Sequence, residues 1–207
     1  MSRQLRKNIY LKRVCTVRYN TDEFIKDIRS RLSDARFYHS MCVADEAMAL
    51  AKRYGGDPHA AYAAGILHDV LKEQPRDEAL RFFASHGVKL SPVELAAPKL
   101  WHAIAGAVYI TETYAPEQAL VDAVRYHTTG RVGMSLPEKI LFVADFISAD
   151  RDYPGVEDMR TRAKISLAYA MEEGLRFTVY ELSERGAVIH PDTVACYNEI
   201  VLSQERK

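Results

Sequence analysis

Two stretches of this chain place a carboxylate where apolar residues dominate. In Ile66-Leu67-His68-Asp69-Val70-Leu71 an Asp follows a His inside a segment that otherwise reads as core. In Ile140-Leu141-Phe142-Val143-Ala144-Asp145-Phe146-Ile147 a single acid interrupts an apolar run. An ionised carboxylate buried without a partner costs several kcal/mol, so both acids call for a compensating positive charge. Adjacent helical residues lie about 100° apart around the axis, which lets His68 and Asp69 reach one cation in front of a single face. A His-Asp pair alone is common and is usually a surface pair or a satisfied core hydrogen bond. Here His39 precedes the pair on the previous helix and Asp145 follows on a later one, so the pattern points to metal-ligating chemistry.

The elements that must position these residues are helical. Apolar residues recur at three- and four-residue spacing and no long alternating pattern is present, which predicts an all-α fold in a single domain. Thr21 is the expected N-cap of a first helix over 22–32, and a second runs from about Arg36 to Tyr54 and stops at Gly55-Gly56. Asp57-Pro58 opens a helix that carries Ala61, Ala64, Leu67 and Leu71 toward a core and contains His68-Asp69. Further helices are predicted over 75–85, briefly after Ser91-Pro92, and over 101–114, 116–127 and 136–148. A loop over 150–155 precedes helices over 156–173 and 191–204.

Composition narrows the function class. With 207 residues, 48% hydrophobic and 27% charged, the chain has enough apolar material for one sizeable core. Cys15, Cys42 and Cys196 lie far apart and form no zinc-knuckle or redox motif, so free thiols and a cytoplasmic location are expected. Apolar runs fall short of the ~18 residues of a membrane helix, and no secretory segment opens the chain. The net charge is zero, yet residues 1–20 hold six basic residues and no acid, leaving 22 basic against 28 acidic residues beyond them. These 20 residues read as a solvated basic arm preceding a domain over 21–207. Elsewhere no basic patch interleaves with aromatics, so neither nucleic acid nor membrane is expected as a partner.

The order His39, then His68-Asp69, then Asp145, each on an apolar helix, resembles the HD phosphohydrolase superfamily. His102 and His127 lie between those landmarks and complete the ligand order of a two-metal HD site. From about Phe24 to Arg160 the chain is similar to the bacterial YqeK family. Arg36-Phe37-Tyr38-His39-Ser40, Ala64-Gly65-Ile66-Leu67-His68-Asp69 with Lys72, and His102 with Gly106-Ala107 carry the first part of the match. His127-Thr128-Thr129-Gly130-Arg131 and Ala144-Asp145-Phe146-Ile147-Ser148, followed by Arg151 and Pro154-Gly155-Val156, carry the rest. Relatives often place an acid and a Pro after the Asp-bearing helix, where this chain has Ala149-Asp150.

The resemblance implies an HD helical bundle that cleaves diadenosine tetraphosphate and similar dinucleoside polyphosphates symmetrically to nucleoside diphosphates at a di-iron centre. It further implies that His39, His68, Asp69 and Asp145 hold one metal, with Asp69 bridging to a second held by His102 and His127. Imidazole and carboxylate equally suit Mn, Co, Ni and Zn, so iron rests on the resemblance. Four neutral imidazoles and two carboxylates carry minus two against plus four from two divalent ions, a site that attracts polyphosphate. The attacking group is then a water activated between the ions, and Asp69, Lys72 and Arg151 are the expected catalytic side chains. Thr128, Thr129, Arg131 and Tyr153, with Lys72 and Arg151, are the expected substrate contacts. Whether a homodimer forms is left open.

Two other readings compete. A mononuclear HD nucleotidase or alarmone hydrolase shares only the four core ligands, and alarmone enzymes usually carry two acids where this chain has Lys72-Glu73. A regulatory module that binds nucleotide without turnover would be expected to lose a ligand, and none is lost. His59, His86 and His190 have no place in the pattern.

Overall fold

Side-chain caps start several of the helices. The computed structural model describes residues 19–204, and over that range the chain forms eleven α-helices and a 3₁₀ turn. Helix α1 (Thr21–Arg31) is capped by Asn20, one residue before the expected Thr21, whose side chain accepts from Glu23 N–H. Ser33 caps α2 (Asp34–Tyr54) by accepting from Arg36 N–H, and Asp57 caps α3 (Pro58–Leu67) by accepting from His59 and Ala60. Next come α4 (Arg76–Ser85), α5 (Pro92–Ala96), the 3₁₀ turn Pro98–Leu100, α6 (Trp101–Tyr114) and α7 (Gln118–Tyr126). A reciprocal Ser135–Glu138 capping box opens α8 (Leu136–Ile147). The chain ends with α9 (Val156–Ile165), α10 (Leu167–Glu184) and α11 (Pro191–Gln204).

Helices α2, α3 and α8 form the centre. They pack on one another, α7 lies against α3 and α8, and α6 pairs with α7. Helix α1 covers α2 and α3, while α9 and α10 pair on the far side of α8 and α10 carries α11. One apolar cluster runs through the bundle, including Ile28, Ile66, Leu67, Ile110, Leu141 and Phe142. Gly65 sets its tightest contact: a Cβ there would come within 2.4 Å of Ala44 Cα, so the α2 and α3 backbones touch. That approach brings the His39 and His68 rings to 5.4 Å between centroids.

Two expected spans change. His68-Asp69 lies just past α3, in consecutive turns closed by i→i+3 bonds such as Lys72 N–H to Asp69 O. The cause is local, because His68 Nδ1 donates to Gly65 O, the carbonyl that would have accepted from Asp69 N–H had the helix continued. The expected helix over 156–173 is broken at Ser166, which is extended (φ −159°, ψ 138°), and its second part runs on to Glu184. No Gly or Pro marks that break; the chain turns there to lay both α9 and α10 on α8.

No described helix is long and apolar enough to cross a membrane. The expected basic arm lies outside the described residues up to residue 18, as does Cys15. Cys42 and Cys196 are free thiols, both buried.

Candidate metal centre

Five elements deliver six side chains to one point. His39 comes from α2, His68 and Asp69 from the turns after α3, His102 from α6, His127 from the end of α7 and Asp145 from α8. His102 Nε2 is 3.0 Å and His127 Nε2 3.7 Å from Asp69 Oδ1, and the two nitrogens are 3.1 Å apart. On the other side of the carboxylate, His68 Nε2 is 3.4 Å from Asp69 Oδ2. His39 Nε2 lies 3.1 Å from Asp145 Oδ1. Three overlapping groups of donor atoms, His39–His68–Asp69, His68–His127–Asp145 and Asp69–His102–His127, each fit within 4.8 Å.

The outer hydrogen bonds assign the tautomers. His68 Nδ1 donates to Gly65 O and His127 Nδ1 to Val124 O, each at 2.7 Å. His39 Nδ1 donates to Asp150 Oδ2, also at 2.7 Å. In the neutral rings this leaves the Nε2 lone pairs turned inward, toward carboxylate oxygens that are themselves acceptors. His68 Nε2 and Asp69 Oδ1 are buried and have no hydrogen-bond partner among the described residues. Acceptors facing acceptors in a buried pocket are stable only around a cation, so these residues fit a metal site.

Burial alone would raise the Asp69 carboxyl, but the imidazoles of His68, His102 and His127 packed around it hold it well below the usual carboxylate range. Asp145 is likewise held low against burial, by the His39 contact, the neighbouring His68 imidazole, the Arg151 charge and the His127 imidazole. Burial pushes the His102 imidazole down to about 4, which keeps it neutral.

Of the expected catalytic and substrate residues, Lys72 and Arg151 reach the cluster. Lys72 Nζ is 3.2 Å from His102 Nε2 and 3.6 Å from Asp69 Oδ1. Arg151 donates from Nε to the Asp145 carbonyl and from a terminal nitrogen to its carboxylate. Thr128 and Thr129 follow His127, and both hydroxyls are buried without a partner among the described residues. Gly130 completes that turn at φ +64°, with Cys196 packed against it. Two expected contacts are engaged elsewhere. Arg131 is tied to Glu138 and Asp122 and lies over the Tyr126 ring. Tyr153 donates its hydroxyl to Phe146 O and stacks on Phe177.

The structure adds two residues that the sequence reading left without a role. Asp150 anchors His39 and is itself held by the Ser148 hydroxyl. Arg36 donates to Asp69 Oδ2 at 3.1 Å. Arg36 was findable, since it sits three residues before His39 and so on the same helix face. Asp150 lies in a loop, where no periodicity points.

Known proteins are similar to this chain. The HD domain family model matches residues 36–150. A symmetrical bis(5'-nucleosyl)-tetraphosphatase from Bacillus subtilis (strain 168) is 35% identical over 185 residues, 88% of this chain and 98% of that protein. Another protein of that name, from Halalkalibacterium halodurans, is 36% identical over 187 residues, 90% of this chain and all of the other. A crystal structure of a "predicted HD superfamily hydrolase involved in NAD metabolism" from Clostridium acetobutylicum superposes with a TM-score of 0.85 at 28% identity, covering 91% of this chain and 99% of that one.

Proposed function

The chain belongs to the HD-domain family, and on that footing we propose that it is a symmetrical bis(5'-nucleosyl)-tetraphosphatase, hydrolysing diadenosine tetraphosphate to two molecules of ADP. The observation that carries this is the convergence of four imidazoles and two carboxylates around two buried atoms that lack a hydrogen-bond partner. His39, His68, Asp69 and Asp145 would hold one divalent ion, and Asp69 with His102 and His127 a second. Iron is the proposed metal; Mn, Co, Ni and Zn suit the same donors. Bound there, the ions would supply Lewis-acid charge to the phosphoryl oxygens and make water acidic enough to attack.

The protein's own groups do the positioning. Asp150 and the carbonyls of Gly65 and Val124 hold three imidazoles in one tautomer before substrate arrives. Arg36 and Lys72 balance the Asp69 charge from outside the pocket, and Lys72, 31% exposed, also faces incoming phosphate. Arg151, beside Asp145, offers a guanidinium fork to a phosphoryl oxygen, while Thr128 and Thr129 add hydroxyls. Arg131 and Tyr153 act one step away, fixing the turn after His127 and the loop that carries Arg151. No side chain is needed as nucleophile.

The test is to incubate metal-loaded protein with diadenosine tetraphosphate and separate the nucleotides by anion exchange. ADP alone is expected. ATP plus AMP would overturn the cleavage register, and no product with metal verified in the protein would overturn the substrate.

A further inference from the structure

Side chains close the C-terminal end of α8. The last carbonyls of a helix have no donor left within it, and here each of the four from Asp145 to Ser148 is met by a side chain from further along the chain. Arg151 Nε donates to Asp145 O at 2.8 Å and the Tyr153 hydroxyl to Phe146 O at 2.9 Å. Arg160, in the second turn of α9, takes the other two: Nε donates to Ile147 O at 3.0 Å and a terminal nitrogen to Ser148 O at 2.8 Å. The same terminal nitrogen also donates to Arg151 O at 2.9 Å, and the other one to Glu157. Among the described residues these are its hydrogen bonds, and none goes to the six side chains of the cluster.

What Arg160 holds is the loop that serves the cluster. Its bonds bracket Asp150, with two accepting carbonyls before that residue and one after it. Asp150 Oδ2 receives His39 Nδ1–H at 2.7 Å, and Oδ1 receives the Ser148 hydroxyl at 2.7 Å. A backbone shift of about 1 Å would take either contact beyond hydrogen-bonding distance. A guanidinium suits the task, because its planar fork spans three oxygens where a single ammonium does not, and its positive charge is favourable at a helix C-terminus. With its side chain 24% exposed, Arg160 makes these bonds largely out of water.

We propose that Arg160 is a positioning residue of the metal centre: it fixes the loop from which Asp150 orients the His39 imidazole. The inference rests on the metal site proposed above and goes beyond it, because it puts a determinant of metal affinity on α9, outside every element that delivers a ligand. The path runs from the guanidinium to the carbonyls of Ile147, Ser148 and Arg151, from that loop to Asp150, and from Asp150 to His39. A cap that served stability alone would leave metal affinity unchanged. Arg53 supplies the comparison, since it donates to Lys164 O in the last turn of α9 and, among the described residues, forms no hydrogen bond to the loop.

The test is calorimetric titration of the metal-free full chain with manganese(II), with the melting temperature recorded for each variant. Arg160→Met is expected to weaken manganese about tenfold. Arg160→Lys keeps the charge but not the fork, and is expected to fall between Arg160→Met and wild type. Arg53→Met is expected to lower the melting temperature while manganese stays within about twofold of wild type. In an Asp150→Asn background, Arg160→Met is expected to add less than about twofold, because its path to the metal is already cut. Should Arg160→Met not fold, Arg160→Lys carries the same cycle. Wild-type manganese affinity in a folded Arg160 variant, or losses that multiply in the double variant, would overturn the role of Arg160 and leave the metal site standing. Wild-type protein that takes up no manganese, nor any of the other proposed metals, would overturn the site on which the role rests.

Discussion

Asp69 and Glu138 are buried to nearly the same degree, with side chains 2% and 1% exposed, yet their surroundings are opposite. Glu138 is enclosed by donors: Arg131 Nε donates to one oxygen and the Ser135 backbone N–H to the other, and the pair closes a helix cap. Asp69 is enclosed largely by imidazoles whose inward lone pairs oppose its own, and Oδ1 has no donor in hydrogen-bonding geometry. Burial is therefore not what distinguishes a functional acid. A closed donor set makes Glu138 part of the scaffold, and the opposed acceptors around Asp69 fit it to hold a cation.

That contrast can be broken from either side. Asp69→Ala or His68→Ala should release metal and reduce hydrolysis by about a thousandfold or more, read by metal analysis and product assay together. Retained turnover with two bound ions would remove Asp69 from the centre. Asp150→Asn should weaken metal binding about 10- to 100-fold by loosening the His39 tautomer, with the melting temperature little changed. Metal titration checks this, and Asp150→Glu should restore part of the loss.

The scaffold side predicts smaller effects, on stability. Gly65→Ala forces a methyl into Ala44 and should cost about 1–3 kcal/mol in denaturant unfolding, with the His39–His68 approach disturbed as well. Glu138→Gln should cost about 1 kcal/mol, since Arg131 is one-third exposed and water screens the pair. Burial would raise the Glu138 carboxyl, but the Arg131 and Ser135 hydrogen bonds hold it below its ordinary 4.5. Its contribution is therefore present above pH 4.5 and lost as pH falls through the lower folded value. Acid unfolding curves of wild type and Glu138→Gln should converge below that window. Curves that stay equally separated down to low pH would show that the charge of Glu138 is not what stabilises the cap.

Much of this was legible in the sequence because it is local. Apolar spacing and caps such as Asp57 start helices by contacts within three residues, so the all-α class and most helix starts follow from the chain alone. The acids Asp69 and Asp145 stand out because their neighbours are apolar, and this needs no tertiary knowledge. The ends of α3 and α7 were less legible, since His68 and His127 each take an i−3 carbonyl through the side chain, which apolar periodicity does not mark.

What only the tertiary structure decided is which groups face one another. Asp150 and His39 are 111 residues apart and meet because α2 and α8 pack together, a contact no spacing rule encodes. Arg131 and Arg151 are alike in sequence as loop arginines past a ligand-bearing helix; packing commits the first to Glu138 and turns the second onto Asp145. Residue types and periods fix local conformation, because short-range sterics and hydrogen bonds act along the chain. The role of a charge depends on the potential made by distant segments, which exists only once the bundle has closed.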